Sequence, residues 1–191
     1  MYNNILDVKG LKVGQVEDEK ALTGCTVVIC ENGATCGVDP GTRETDLLDP
    51  INSVQKVHAV VLSGGSAFGL ESTCGVSKYL EEKNIGFDVG VCKVPIVTGA
   101  VLFDLAVGDY KVRPDKEMGY KACLNASETE LKQGNYGAGC GATVGKVKGL
   151  DYVTKGGIGS YSIKLDKGIV VSALIAVNAF GDVYEDGQVI A

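Results

Sequence analysis

The sequence predicts an α/β or α+β layered sandwich, and three observations lead there. Residues 57–62 (VHAVVL) form a buried-strand run that passes through the glycine-rich residues 63–69 into a helical pattern. Beyond about residue 150 the pattern changes to successive β-type runs separated by turn signals. The 27 glycines, about twice the usual ~7% share, fall in clusters without a period, which marks tight turns and close backbone approaches. Strands mixed with helices, followed by strands alone, favour a layered sandwich over a strictly parallel wound sheet. A length of 191 residues fits one domain, residues 1–191.

Taken in order, residues 26–30 (TVVIC) are a β-branched strand. Residues 37–49 (GVDPGTRETDLLD) are a turn-rich polar loop, of a length often tied to function. The helix after residues 63–69 runs to about Lys83. Leu70, Cys74 and Ser77 share one face, with Val76, Tyr79 and Leu80 alongside. Residues 94–105 (VPIVTGAVLFDL) are a second apolar run, interrupted by Pro95 and Gly99. Pro114 and Asp115 then start a helix predicted to pass through Met118, Ala122, Cys123 and Ala126 to Gln133, where Gly134 stops it. Residues 134–149 are the densest glycine region. Strands follow at 152–154, 161–165 and 169–179, with tight turns at Asp166-Lys167-Gly168 and Asp186-Gly187.

The net charge is −6 and the isoelectric point about 4.8. With no Lys/Arg run and no aromatic residues interleaved with basic ones, there is no nucleic-acid footprint. Acidity also disfavours an anionic membrane surface, and no apolar run reaches the ~18 residues of a span. Residues 1–15 carry Asp7, Lys9 and Lys12 and lack the apolar stretch of a signal peptide. The seven cysteines form no C-x-x-C pair. They read as buried, reduced thiols of a cytoplasmic protein, with Cys74, Cys92 and Cys123 in apolar or helical stretches. One histidine and no ligand spacing predict no metal and no cofactor.

Five places could carry chemistry. A P-loop around Lys146 fails at both ends, because Cys140 stands at the first glycine position and Val147 at the Ser/Thr position. The turn at residues 63–69 is either a set of free N–H groups for an oxyanion or carboxylate, or a capped helix with Ser66 as N-cap. It does not match the G-x-S-x-G spacing of a nucleophile elbow. His58 sits inside an apolar strand and reads as a core residue, so a histidine triad has no base. Arg43 could clamp a carboxylate, or staple its own loop through Glu44 or Asp46. Asn178, at the end of an apolar strand, is either a turn residue or an amide aimed into a site as an oxyanion donor.

Together these stretches resemble the self-processing L-aminopeptidase / D-amidase-esterase family, which includes nylon-oligomer hydrolases and β-peptide aminopeptidases. The matching segments are 41–49 (GTRETDLLD), 60–70 (VVLSGGSAFGL), 94–105 (VPIVTGAVLFDL), 113–122, 137–146 (GAGCGATVGK), 155–159 (KGGIG) and 173–182 (ALIAVNAFGD), in the family's order over almost the whole chain. The resemblance implies a four-layer αββα sandwich of the N-terminal-nucleophile-hydrolase type. It implies a precursor that cuts itself into an α chain and a β chain, exposing a Thr or Ser as the first residue of β. Such a nucleophile can use its own α-amine, of pKa near ~7.7–8.0, as base, and so needs no histidine.

Carried onto this sequence, Asn178 matches the asparagine that helps hold the oxyanion. Lys146 matches a lysine near the nucleophile in the nylon-hydrolase branch. Phe103 stands where the family has a tyrosine, without its hydroxyl, and Ser63, Gly64 and Gly65 are expected at the substrate pocket. The implied partners are a small peptide, amide or ester substrate, the β chain, and further αβ units in a homo-oligomer. The nucleophile segment follows 173–182 in the family and is not in this sequence, which predicts the α-chain portion. The alternative is a non-catalytic small-molecule-binding protein on the same scaffold.

Overall fold

The computed structural model describes residues 2–37 and 43–191, so Gly41 and Thr42 of the loop discussed above lie outside the described residues. Its centre is a sheet of strands β1 (Leu11–Asp18), β2 (Thr23–Thr35) and β3 (Lys56–Ser63). After helix α1 (Ser72–Glu82) and a short hairpin of β4 (Phe87–Asp88) and β5 (Lys93–Val94), β6 (Val97–Val101) completes that sheet. Its order is β1-β2-β3-β6, antiparallel except for the parallel β3–β6 pair. Helix α2 (Lys116–Leu124) follows. Then come the paired short strands β7 (Thr143–Val144) and β8 (Thr154–Lys155), the long hairpin β9 (Gly157–Lys164) and β10 (Val170–Val177), and a small hairpin of β11 (Tyr184–Glu185) and β12 (Gln188–Val189).

The period-two alternation of strands sorts side chains onto two faces of the central sheet. Cys25, Val27, Ile29, Ala59, Val61 and Val97 meet Val76 and Leu80 of α1 and Ala122 and Cys123 of α2. The opposite face, with Val13, Val28 and Val60, packs on Leu6 and on Leu174 of β10. The layers are therefore helix pair, sheet and hairpin. Full burial of a side chain such as Leu80 or Ile29 contributes about 1.5–3 kcal/mol, so the sheet is held from both sides. The outer face of the hairpin is different: Tyr161, Ile163, Val171, Ile175 and Val177 are all exposed, and β10 pairs only with β9 among the described residues.

Four details depart from the sequence reading. β1 carries no sequence signal, because Gly14 breaks its alternation. Glycine is needed there, since a Cβ would run into the Ala122 carbonyl of α2. α2 begins as predicted, with Asp115 accepting the Met118 N–H at 2.8 Å, but ends at Leu124 instead of Gln133. The chain leaves the helix so that Ser127 can exchange two backbone hydrogen bonds with Val13 of β1. Ser66 is not an N-cap. Gly65, at φ +80°, caps a 3-10 turn (Ser66–Glu71) that leads into α1. Cys74 and Cys92 are exposed, whereas Cys25, Cys30, Cys123 and Cys140 are buried. Thr73, Val76 and Leu80 take the buried side of α1 and leave Cys74 outside, and Cys92 lies in the β4–β5 turn. Burial pushes the Cys123 thiol up to about 12.

Both predicted tight turns are present, with positive φ at Lys167 and Gly168 and at Asp186 and Gly187. Among the described residues no helix is long and apolar enough to cross a membrane.

Candidate active site

The strongest convergence of polar groups lies where β10 ends. Asn178 follows Val177, and its side chain is tied at both ends. Oδ1 accepts the Thr143 N–H at 3.0 Å and a hydrogen bond from Lys146 Nζ at 3.1 Å, while Nδ2 donates to the Phe103 carbonyl at 3.2 Å. The neighbours fix the amide's orientation, since two donors must face the oxygen and a carbonyl must face the nitrogen. The second Nδ2–H has no protein acceptor among the described residues. A cleft of about 260 Å³ between β10 and the ends of β3 and β6 is lined by Ser63, Leu102, Leu174 and Ala176, among others; Asn178, Lys146 and Phe103 do not line it, though Asn178 comes two residues after Ala176 and Phe103 directly after Leu102.

Lys146 is half-buried, two residues past β7. Besides Asn178 Oδ1 it donates to the carbonyls of Thr143 and Ala179 (3.0 Å for the latter) and, at 3.4 Å, to that of Asn178. Burial holds its ammonium below the usual lysine range. The cation is spent on oxygens, one of which belongs to the Asn178 amide. It polarises that amide, so that the nitrogen end becomes a better donor.

The turn at residues 63–65 contributes Ser63 to the cleft lining, but not Gly64 or Gly65. Its N–H groups are used within the protein: Gly64 N–H donates to the Gly24 carbonyl, Gly65 N–H to Asp104 Oδ1 at 2.6 Å, and Ser66 N–H to the Leu102 carbonyl. Ser63 is buried and its hydroxyl is met by that of Ser72. Of the two alternatives for this turn, the open N–H set is therefore closed at residues 64 to 66. Phe103 has an exposed ring, and its carbonyl orients Asn178.

Other candidates fall away from this place. His58 is buried in β3, where Nδ1 accepts the Ile96 N–H at 3.2 Å. Burial, with the nearby Lys56 and Lys93 charges, keeps it below its usual pKa. Arg43 donates to Thr73 Oγ1 at 2.7 Å and Cys74 Sγ at 3.3 Å, fastening its loop to α1 and making no ion pair with Glu44 or Asp46 among the described residues. The glycine region around 137–146 is a 3-10 turn (Gly137–Gly139) followed by a strand, and Gly137 and Ala138 give their N–H groups to Glu17 and Thr26. No group of His, Cys, Asp or Glu able to hold a metal occurs among the described residues.

The structure also brings to this region two residues that carry no sequence signature of a site, Asp104 and Lys155. Asp104 is buried and accepts from Thr23 Oγ1 at 2.7 Å as well as from Gly65. Lys155 donates to the carbonyls of Cys140 and Ala142 (3.0 Å) and, at 3.5 Å, of Gly139. The available signal was a carboxylate inside the apolar run 94–105, which must find partners wherever it is buried.

The family model described as "Peptidase family S58" matches residues 3–188. An uncharacterized aminopeptidase of Mycobacterium leprae is 43% identical over 203 residues, covering 96% of this chain and 54% of that protein. A 6-aminohexanoate-oligomer endohydrolase of Kocuria is 35% identical over 141 residues, 74% of this chain and 39% of its own length. The L-aminopeptidase D-Ala-esterase/amidase of Ochrobactrum anthropi, described as a variant of the Ntn-hydrolase fold, superposes with a TM-score of 0.63 at 20% identity, over 93% of this chain and 53% of that one. The chain thus spans about half the length of these fuller relatives. The fold is the mixed α+β, Ntn-hydrolase-like sandwich that the sequence predicted, and the chain belongs to peptidase family S58.

Proposed function

We propose that this chain is the α-chain portion, a single domain over residues 1–191, of a self-processing aminopeptidase or amidase. The enzyme would act on small peptides, amides or esters, and the nucleophile would be a Thr or Ser exposed by autocleavage in a second segment of the same precursor. The observation that carries the reading is the Asn178 amide. Both its ends are anchored, one N–H is uncommitted, and it comes two residues after Ala176, which lines the cleft between β10 and the ends of β3 and β6. A donor held in place before reaction costs no reorganisation when negative charge develops on the substrate oxygen.

In this mechanism the nucleophile's hydroxyl adds to the substrate carbonyl while its α-amine takes the proton. The tetrahedral oxyanion accepts the free Nδ2–H of Asn178, and Lys146 strengthens that donor through Oδ1. Collapse expels the leaving amine with the transferred proton and leaves an acyl-enzyme, which water hydrolyses. Phe103 offers an exposed ring to the substrate, Ser63 lines the cleft, and Gly64 and Gly65 support it from the adjoining turn. No metal or cofactor takes part. The exposed apolar face of β9 and β10 supports a β-chain partner, because a contiguous patch of that kind fits a covered surface. Assembly of αβ units into a homo-oligomer and a cytoplasmic location belong to the same reading.

Intact-mass spectrometry of the full expression product under denaturing conditions tests it. Two species are expected, the smaller beginning with Thr or Ser. A single uncleaved species overturns self-processing and leaves a binding protein on this scaffold.

A further inference from the structure

Asp104 is a buried acid two residues past Leu102, which lines the cleft, and no step above uses it. Both carboxylate oxygens have partners on other segments. Oδ1 takes the Gly65 N–H at 2.6 Å, and Oδ2 takes the Thr23 hydroxyl at 2.7 Å, from the start of β2. Two glycines make room for it: a Cβ on Gly64 or on Gly141 would run into the Asp104 side chain. The backbone just before it is equally constrained, since Leu102 N–H donates to the Ser63 carbonyl at 2.9 Å and the Leu102 carbonyl accepts the Ser66 N–H at 3.0 Å. Between these anchors lies one group that faces the site, the Phe103 carbonyl, which holds Asn178 Nδ2.

We infer that Asp104 is a positioning residue: by locking residues 102–104 onto the 63–66 turn and Thr23, it fixes the Phe103 carbonyl and thereby aims the Asn178 amide. A carboxylate suits this because a charge-assisted hydrogen bond is shorter and about twice as strong as a neutral one. A buried carboxylate with two donors from different segments also resists sliding, and a misplacement of about 1 Å at a reacting centre can cost about a hundredfold in rate. The inference rests on the role given above to Asn178.

The test uses the full-length protein and an aminoacyl p-nitroanilide. Asp104→Ala is expected to lower kcat by about a hundredfold with KM changed by less than about threefold, since no substrate contact is removed. Asp104→Asn, which keeps one acceptor, should recover part of the loss, and Thr23→Ser should retain activity that Thr23→Val loses. A folded Asp104→Ala enzyme with kcat within about twofold of the parent overturns the inference, as does a loss that appears wholly in KM. Should Asp104→Ala fail to fold, the Asn and Thr23 variants decide by the same criteria. Hydrogen exchange separates this inference from the functional reading. If the parent protein hydrolyses nothing, that reading fails. The positioning role then stands or falls on whether Asp104→Asn speeds amide exchange in peptides covering residues 63–68 by about tenfold, while peptides of the β9–β10 hairpin stay unchanged.

Discussion

Lys146 and Lys155 are two versions of one arrangement with different consequences. Lys155 closes β8 and Lys146 lies two residues past its partner β7, each ammonium donates to backbone carbonyls, and desolvation holds both below the usual lysine range, although Lys155 is the more exposed residue. Among the described residues Lys155 hydrogen-bonds only backbone: the Gly139, Cys140 and Ala142 carbonyls at the end of the glycine-rich turn. Lys146 touches backbone too, but one of its acceptors is the Asn178 side chain. In the proposed mechanism that single difference separates a cation that braces a turn from one that tunes the oxyanion donor.

The largest effect should come from the group Lys146 serves. Asn178→Ala is expected to lower kcat by ~10²–10³, the usual consequence of removing an oxyanion donor. A change under about threefold in steady-state kinetics would take Asn178 out of the mechanism. Lys146→Met should follow with a loss of about tenfold to a hundredfold, since a hydrogen bond to a charged group contributes about 1.5–3 kcal/mol. It should also shift the pH–rate profile, and an unchanged profile with unchanged kcat would equate the two lysines.

Lys155→Met should do the reverse. It strips a donor from three carbonyls and costs about 1–3 kcal/mol of stability, read as a fall in Tm of about 2–4 °C per kcal/mol. Its kcat should remain within about threefold of the parent at a temperature where it is folded. A large kcat loss with unchanged Tm would erase the distinction. The smallest effect concerns His58, which lies away from both lysines. Its folded pKa lies below the usual 6.5 because of burial and the Lys56 and Lys93 charges. As pH falls from 6.5, the unfolded chain binds a proton that the folded chain resists, so stability declines until the folded pKa is passed. His58→Gln should flatten that acid limb in denaturant titrations. An identical limb would assign it to other groups.

The two lysines also mark how far the sequence could be read. Asn178 and Lys146 were singled out because they lie in segments whose order matches a family pattern, and the structure brings the two within hydrogen-bond distance. Asp104 lay inside the run 94–105 and Lys155 opened the segment 155–159, yet neither was singled out. Their partners, Thr23 and Gly65 for one and the 139–142 carbonyls for the other, are distant in sequence or are backbone atoms without a residue signature. β1 was hidden for a related reason: Gly14 looks like a break in a strand until α2 is seen packed on it. The end of α2 was misplaced because the competing pairing of Ser127 with Val13 is a tertiary contact. Whether the 63–69 turn offers free N–H groups could not be read from the sequence, because those of residues 64–66 are closed by distant acceptors from Gly24, Asp104 and Leu102.

Sequence alone determined the strands at β2, β3 and β10, the start of α2 and the two hairpin turns. These follow from local periodicity, caps and φ > 0 chemistry, which act within a few residues. It also determined the family, through segments spread along the chain. Only the tertiary structure decided which polar groups remain available for chemistry. A hydrogen bond consumes a donor wherever its acceptor comes from, and that accounting closes only when distant segments meet.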